Sequence, residues 1–86
     1  METFQPAQAY DVAACGRAIA RARVAAGLTL DELAALSGVS RRHLVDLEHG
    51  NNGPSTRVLY AISLGLGVDG GDLFRQGIPA TAPSAA

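Results

Sequence analysis

Two arginines, Arg41 and Arg42, stand side by side after Ser40 in the segment VSRRHLVDLEH. A guanidinium is a rigid, planar fork of donors that is always charged, suited to bidentate pairing with planar acceptors. Without context, the same pair is also what the solvated face of a surface helix carries. The other reactive side chains form no site. Cys15, His43 and His49 lack metal-ligand spacing, and Cys15 reads as a small apolar residue packed within a helix. Ser40 reads as a helix cap before it reads as a nucleophile, and no ordering of histidine, carboxylate and serine accompanies it. The glycines between Gly65 and Gly71 are irregular and do not open a βαβ unit. No enzyme, no metal site and no cofactor is expected.

The elements that must carry Arg41 and Arg42 follow from caps and periodicity. Asp11 is a candidate N-cap, and Val12, Cys15, Ile19, Ala22 and Ala26 share one face of a first helix that Gly27 stops. Thr29 and Glu32 form a capping box for a second helix, Leu30 to Ser37, ending at Gly38. Ser40 caps a third, Arg41 to His49, with Leu44 and Leu47 inward and Gly50 as its stop. Asn51-Asn52-Gly53-Pro54 is a loop by composition. Ser55 caps a fourth helix carrying Val58, Leu59, Ile62 and Leu64 or Leu66. A fifth follows Asp69 with Leu73 and Phe74, although Gly70 and Gly71 would each cost ~0.8–1 kcal/mol relative to Ala inside a helix. In the second and third helices, Ala34 is small enough for a close crossing and Gly38 permits the tight turn. Val39, Leu44 and Leu47 hold the third helix on the scaffold and turn the face of Arg41 to Asp46 outward. A helix displayed with its positive N-terminus forward fits a DNA major groove.

Composition bounds the rest. The 86 residues hold 16 Ala and 10 Leu but only two Phe, two Tyr and no Trp, which favours thin, closely packed helices over a β-sandwich. The fold class expected is all-α, a five-helix domain over residues 11–76, between a tail at 1–10 and a Pro/Ala/Ser/Thr-rich tail at 77–86. Seven arginines, no lysine and eight acids give a net charge of −1, which excludes binding driven by an overall basic surface. One cysteine allows no intrachain disulfide, and no apolar run approaches the ~18 residues of a membrane span. The N-terminal METFQPAQAY lacks the layout of a secretory signal. A cytoplasmic protein with no membrane partner is expected.

The stretch GLTLDELAALSGVSRRHLVDLEHGNNGPS, continued by LYAISLGLGVDGGDLF, resembles the Xre/Cro-like helix-turn-helix domains of bacterial and phage repressors. The resemblance spans about residues 16–74 and rests on an ordered set of motifs. These are Gly27-Leu28-Thr29, Ala34 and Gly38, Val39-Ser40, Leu47-Glu48-x-Gly50 and Pro54-Ser55. It implies a sequence-specific regulator of transcription that places its third helix in the major groove and binds a partly palindromic operator as a homodimer. By the same resemblance Ser40, Arg41, Arg42 and Asp46 are the base-reading positions. An arginine there suits guanine O6 and N7, for ~1–3 kcal/mol of discrimination, and Asp46 suits a cytosine amino group, although a carboxylate also repels phosphate. Phosphate contacts fall to Thr29, Asn51 and Asn52 with their main-chain amides, and to His43 as a backbone or groove-edge contact. Arg23 and Glu48 occupy the positions of a structural ion pair that fixes the recognition helix. Leu66, Val68, Leu73 and Phe74 supply the apolar patch for dimerisation.

Two departures from the family pattern weigh on this. A glutamine that often opens the second helix, binding phosphate and bracing the base readers, is Leu30 here. The loop after the third helix carries Asn51-Asn52-Gly53 where Lys or Arg is frequent. The missing loop basics, with the charge of −1, suit a different class of function, a protein-interaction module such as an antitoxin or the partner of another regulator. A controller protein timing a restriction-modification system is a sub-case of the DNA-binding reading.

Overall fold

The computed structural model describes residues 9–79. Five helices follow one another: α1 Val12–Ala25, α2 Leu30–Ser37, α3 Arg41–Glu48, α4 Thr56–Leu66 and α5 Gly70–Arg75. No strand occurs among the described residues, so the expected all-α, five-helix class is what is observed.

Each helix starts on a side chain that satisfies an otherwise orphaned amide. Asp11 accepts from Ala14, Ser40 from His43, Ser55 from Val58 and Asp69 from Gly71. Thr29 and Glu32 close the capping box in both directions, at 3.0 and 2.9 Å. Gly38 ends α2 in the left-handed region at φ 75°, a conformation that a Cβ would strain, and so redirects the chain towards α3. The third helix ends one residue short of the expected His49, which serves as its C-cap.

The core is a single cluster of Cys15, Ala18, Ile19, Leu33, Val39, Leu44, Leu47, Ile62 and Leu73, all buried. α1 packs on α3 and α5, α2 on α3 and α4, and α4 on α5. Gly16 explains how close α1 and α3 come: a Cβ built there would run into the main-chain carbonyl of Leu47. Of the alternatives for α4, Leu66 packs on the core and Leu64 is exposed. The glycine pair Gly70-Gly71 is tolerated because Asp69 caps the helix and Leu73 sinks into the core.

Two sequence expectations are corrected. The tail boundaries shift, because Tyr10 and Gly77 belong to the packed unit. The Tyr10 ring stacks on Phe74 at 4.9 Å, its hydroxyl donates to the Phe74 carbonyl at 2.7 Å, and Gly77 lies buried against it. The amide of Asp11 donates to Gly77 as well, at 2.7 Å. The remainder of the expected tails, residues 1–8 and 80–86, lies outside the described residues. Leu73, assigned to a dimerisation patch, is instead 5 % exposed and part of the core, and Leu66 is half-buried against it. The exposed apolar side chains of this end are Tyr60, Leu64, Val68, Phe74 and Ile78.

Candidate nucleic-acid interface

The α2–turn–α3 unit is held from behind and open in front. Leu33 from α2, Val39 from the turn, and Leu44 and Leu47 from α3 are buried. Behind α3, Arg23 of α1 grips Glu48 through two hydrogen bonds, Nε to Oε2 at 2.7 Å and Nη2 to Oε1 at 3.0 Å. Its remaining amino group donates to the Leu28 carbonyl at 2.9 Å. One guanidinium thus ties α1 to the end of α3 and to the start of the α1–α2 connection, and the Glu48 hydrogen bonds raise its pKa. The positions assigned to this ion pair do form one.

With the rear fixed, the start of α3 faces solvent. Ser40, Arg41 and Arg42 are all exposed, and the first turn of α3 holds no acidic residue. Two permanent cations are therefore added to the positive end of the helix dipole. Ser40 Oγ accepts from the His43 amide at 3.1 Å, which leaves its hydroxyl hydrogen free to donate. His43 and Asp46 are half-buried on the flank of α3. Arg42 has no ion pair among the described residues, whereas Arg41 Nε lies 3.2 Å from Asp31 Oδ1, in the first turn of α2. Sequence spacing gave no hint of Asp31, because the contact depends on the crossing of α2 over α3.

The residues assigned to phosphate lie at both ends of the unit. Thr29 caps α2, near the start of α3 through the Asp31–Arg41 contact. Asn51 and Asn52 follow the far end of α3, about 12 Å away along an eight-residue helix. The main-chain amides are less available than expected. That of Thr29 donates to Glu32 at 2.9 Å, and that of Asn51 to the Asp46 carbonyl at 2.9 Å. The Thr29 hydroxyl and the exposed Asn51 and Asn52 carboxamides remain as donors. Glu32, which accepts from the Thr29 amide, has its pKa lowered by that bond.

No cluster of His, Cys, Asp and Glu among the described residues could hold a metal ion. Cys15 is buried and donates weakly to the Leu73 carbonyl at 3.5 Å. No helix among the described residues is long and apolar enough to cross a membrane. An open apolar groove runs between α4 and α5, lined by Leu59, Tyr60, Gly70, Gly71 and Phe74 among others.

The chain is similar to known proteins in sequence and in fold. Residues 19–73 match the helix-turn-helix family model. An uncharacterised HTH-type transcriptional regulator of Sinorhizobium fredii, y4dJ, is 42 % identical over 53 residues, spanning 62 % of this chain and 69 % of that protein. The clp gene regulator ClgR from C. glutamicum superposes with a TM-score of 0.74 at 30 % identity, over 90 % of this chain and 100 % of that one. The restriction-modification controller protein C.AhdI from Aeromonas hydrophila gives 0.71 at 27 % identity, over 73 % and 96 %.

Proposed function

The chain belongs to the Xre/Cro-like helix-turn-helix family of DNA-binding transcriptional regulators, and from that premise we propose a sequence-specific regulator that binds a partly palindromic operator as a homodimer. The observation that carries this reading is the start of α3. It presents Ser40, Arg41 and Arg42 to solvent on a helix whose opposite face is locked by Leu44, Leu47 and the Arg23–Glu48 pair. Placed in the major groove, Arg41 and Arg42 donate to guanine O6 and N7, Ser40 to either groove-edge acceptor, and Asp46 accepts from a cytosine amino group. Thr29, Asn51 and Asn52 donate to phosphates on either side, with His43 at the groove edge.

Dimerisation supplies what the modest charge does not. One recognition helix with two cations and a neutral flanking loop gains little from counterion release, so affinity must come from two half-sites bound together. Tyr60 and Leu64 lie one turn apart on α4 and are each 64 % exposed, and Tyr60 shares the lining of the α4–α5 groove with Phe74. We assign this patch to the second copy, and helix-turn-helix dimers place their two recognition helices about 10 bp apart on the duplex.

The test is a selection of genomic DNA fragments by the purified protein at ~150 mM salt, followed by sequencing of what is retained. Enrichment of a two-fold motif with half-sites about 10 bp apart is the expected result. Retention of no sequence by a folded, helical protein would overturn it, leaving the protein-interaction module as the reading to pursue.

A further inference from the structure

We propose that Asp31 is a specificity-determining positioning residue, a carboxylate on α2 that sets the plane of the Arg41 guanidinium before it meets a base. The inference rests on the base-reading role of α3 proposed above and adds to it a residue that touches no base. Its basis is the placement of Asp31 Oδ1 at 3.2 Å from Arg41 Nε, across the helix-turn-helix. A guanidinium has two usable sides, the Nε side and the pair of terminal amino groups. The closest approach of the carboxylate is to Nε, and among the described residues no hydrogen bond engages the terminal pair. That pair is the one needed for two parallel bonds to guanine O6 and N7.

The chemistry of the neighbouring positions supports a positioning role. Leu30, the residue before Asp31, packs on the core and has no polar side-chain atom with which to brace α3. Arg42 has no ion pair among the described residues, so its long side chain keeps its rotamer freedom until DNA binds. Asp31 and Arg41 are 81 % and 59 % exposed at their side chains, so the pair contributes little to folding in water. The orientation it sets in the free protein takes effect on DNA, where the interface excludes water and the attraction strengthens. The cost is that a carboxylate sits close to the phosphate backbone and weakens binding to every sequence alike. Asp31 thus exchanges general affinity for discrimination at one base pair.

That exchange separates the proposal from its two plain alternatives, a carboxylate serving only the dipole of α2 and a carboxylate that only repels DNA. On the operator found by selection, the ratio of Kd for the single-base variant at the Arg41 position to Kd for the cognate site is measured. The proteins compared are the wild type, Asp31→Asn, Asp31→Glu, Arg41→Ala and the double variant Asp31→Asn/Arg41→Ala, with helicity checked by circular dichroism. Asp31→Asn is expected to tighten binding to non-specific DNA while lowering the ratio about three- to tenfold. Asp31→Glu, which keeps the carboxylate, should retain most of the ratio. In the Arg41→Ala background the Asp31→Asn change should leave the ratio where Arg41→Ala alone puts it. In the free protein, the Arg41 Nε–H resonance should shift on Asp31→Asn while that of Arg42 stays.

A uniform gain in affinity with an unchanged ratio overturns the proposal and reduces Asp31 to a repulsive surface charge. If Arg41→Ala then still collapses the ratio, base reading by α3 stands on its own. An unmoved Arg41 resonance likewise overturns the pre-set geometry. A wild type with no preferred sequence, or an Arg41→Ala variant as selective as the wild type, removes the base-reading role and this inference with it.

Discussion

The Arg23 guanidinium and the Glu48 carboxylate meet as two parallel hydrogen bonds, at 2.7 and 3.0 Å, between the end of α1 and the last residue of α3. Their side chains are 17 % and 9 % exposed, so neither partner can be rehydrated if the other is lost. Breaking a pair of this kind is far more damaging than replacing it whole. Arg23→Ala is expected to destabilise the domain by about 3 kcal/mol, towards the lower end of the range for buried pairs. In a domain of this size that lowers Tm by about 15 °C. The joint change Arg23→Met/Glu48→Leu should recover most of the loss, as followed by thermal denaturation. An Arg23→Ala protein melting within about 3 °C of the wild type would show that the pair is not a clamp.

The Tyr10–Phe74 contact predicts an alkaline limb in stability. Burial, aided by the neighbouring Cys15, pushes the Tyr10 phenol well above its ordinary 10.0. The folded state therefore prefers the neutral phenol, which donates to the Phe74 carbonyl. Both states are neutral below pH 10, so the stability is fully present there. Above it the unfolded chain ionises first, and stability falls as pH rises towards the folded-state value. Tyr10→Phe removes this limb, at the loss of one hydrogen bond worth about 1 kcal/mol at neutral pH. Urea titrations between pH 8 and 11 compare the slopes directly, and equal slopes in the two proteins would rule out Tyr10 as their source.

The proposed homodimer predicts a separable surface. Tyr60 and Leu64 project from α4 without entering the core, so charge placed there should spare the fold. Tyr60→Glu/Leu64→Glu is expected to sediment as a monomer at concentrations where the wild type is dimeric. Its Tm, measured for the monomer, should stay within a few degrees, while operator affinity falls by about a hundredfold or more through loss of the second half-site. A double variant that remains dimeric would move the interface elsewhere on the surface.

What the sequence disclosed and what it did not divides along a physical line. The caps at Asp11, Thr29, Ser40 and Ser55 act within three residues of themselves, and all four were legible from local chemistry. Arg23 and Glu48 were legible only because an ordered set of motifs supplied the register between α1 and α3. Gly16 and Asp31 were not legible by either route. The first matters because α1 approaches the Leu47 carbonyl, and the second because α2 crosses the start of α3. Both depend on interhelical geometry, which side-chain periodicity does not encode. Leu73 and Phe74 show the same limit on a smaller scale. They are adjacent and both apolar, yet the short α5 turns one into the core and the other to the rim of the groove.

The α3–α4 loop tests how affinity and specificity divide between residues. Asn51 and Asn52 are exposed, uncharged, and about one α3 length from Arg41. If their carboxamides face phosphates, they contribute hydrogen bonds but release few counterions, and the salt dependence of operator binding is shallow. Asn51→Lys/Asn52→Lys then adds two cations at the backbone without touching a base. The slope of log K against log salt should steepen by ~0.9 for each new contact, with non-specific and specific affinity rising together. The ratio between them should stay constant if the proposed base readers, Arg41 and Arg42, discriminate from the other end of the helix. Arg42→Ala should do the reverse, relaxing one base position by ~1–3 kcal/mol with little change in slope. Fluorescence anisotropy across ~50–300 mM salt reads both quantities from the same titrations, a range over which such contacts are strongly salt-dependent. An unchanged slope in the lysine variant would place the loop away from the duplex and turn α3 to a different approach on DNA.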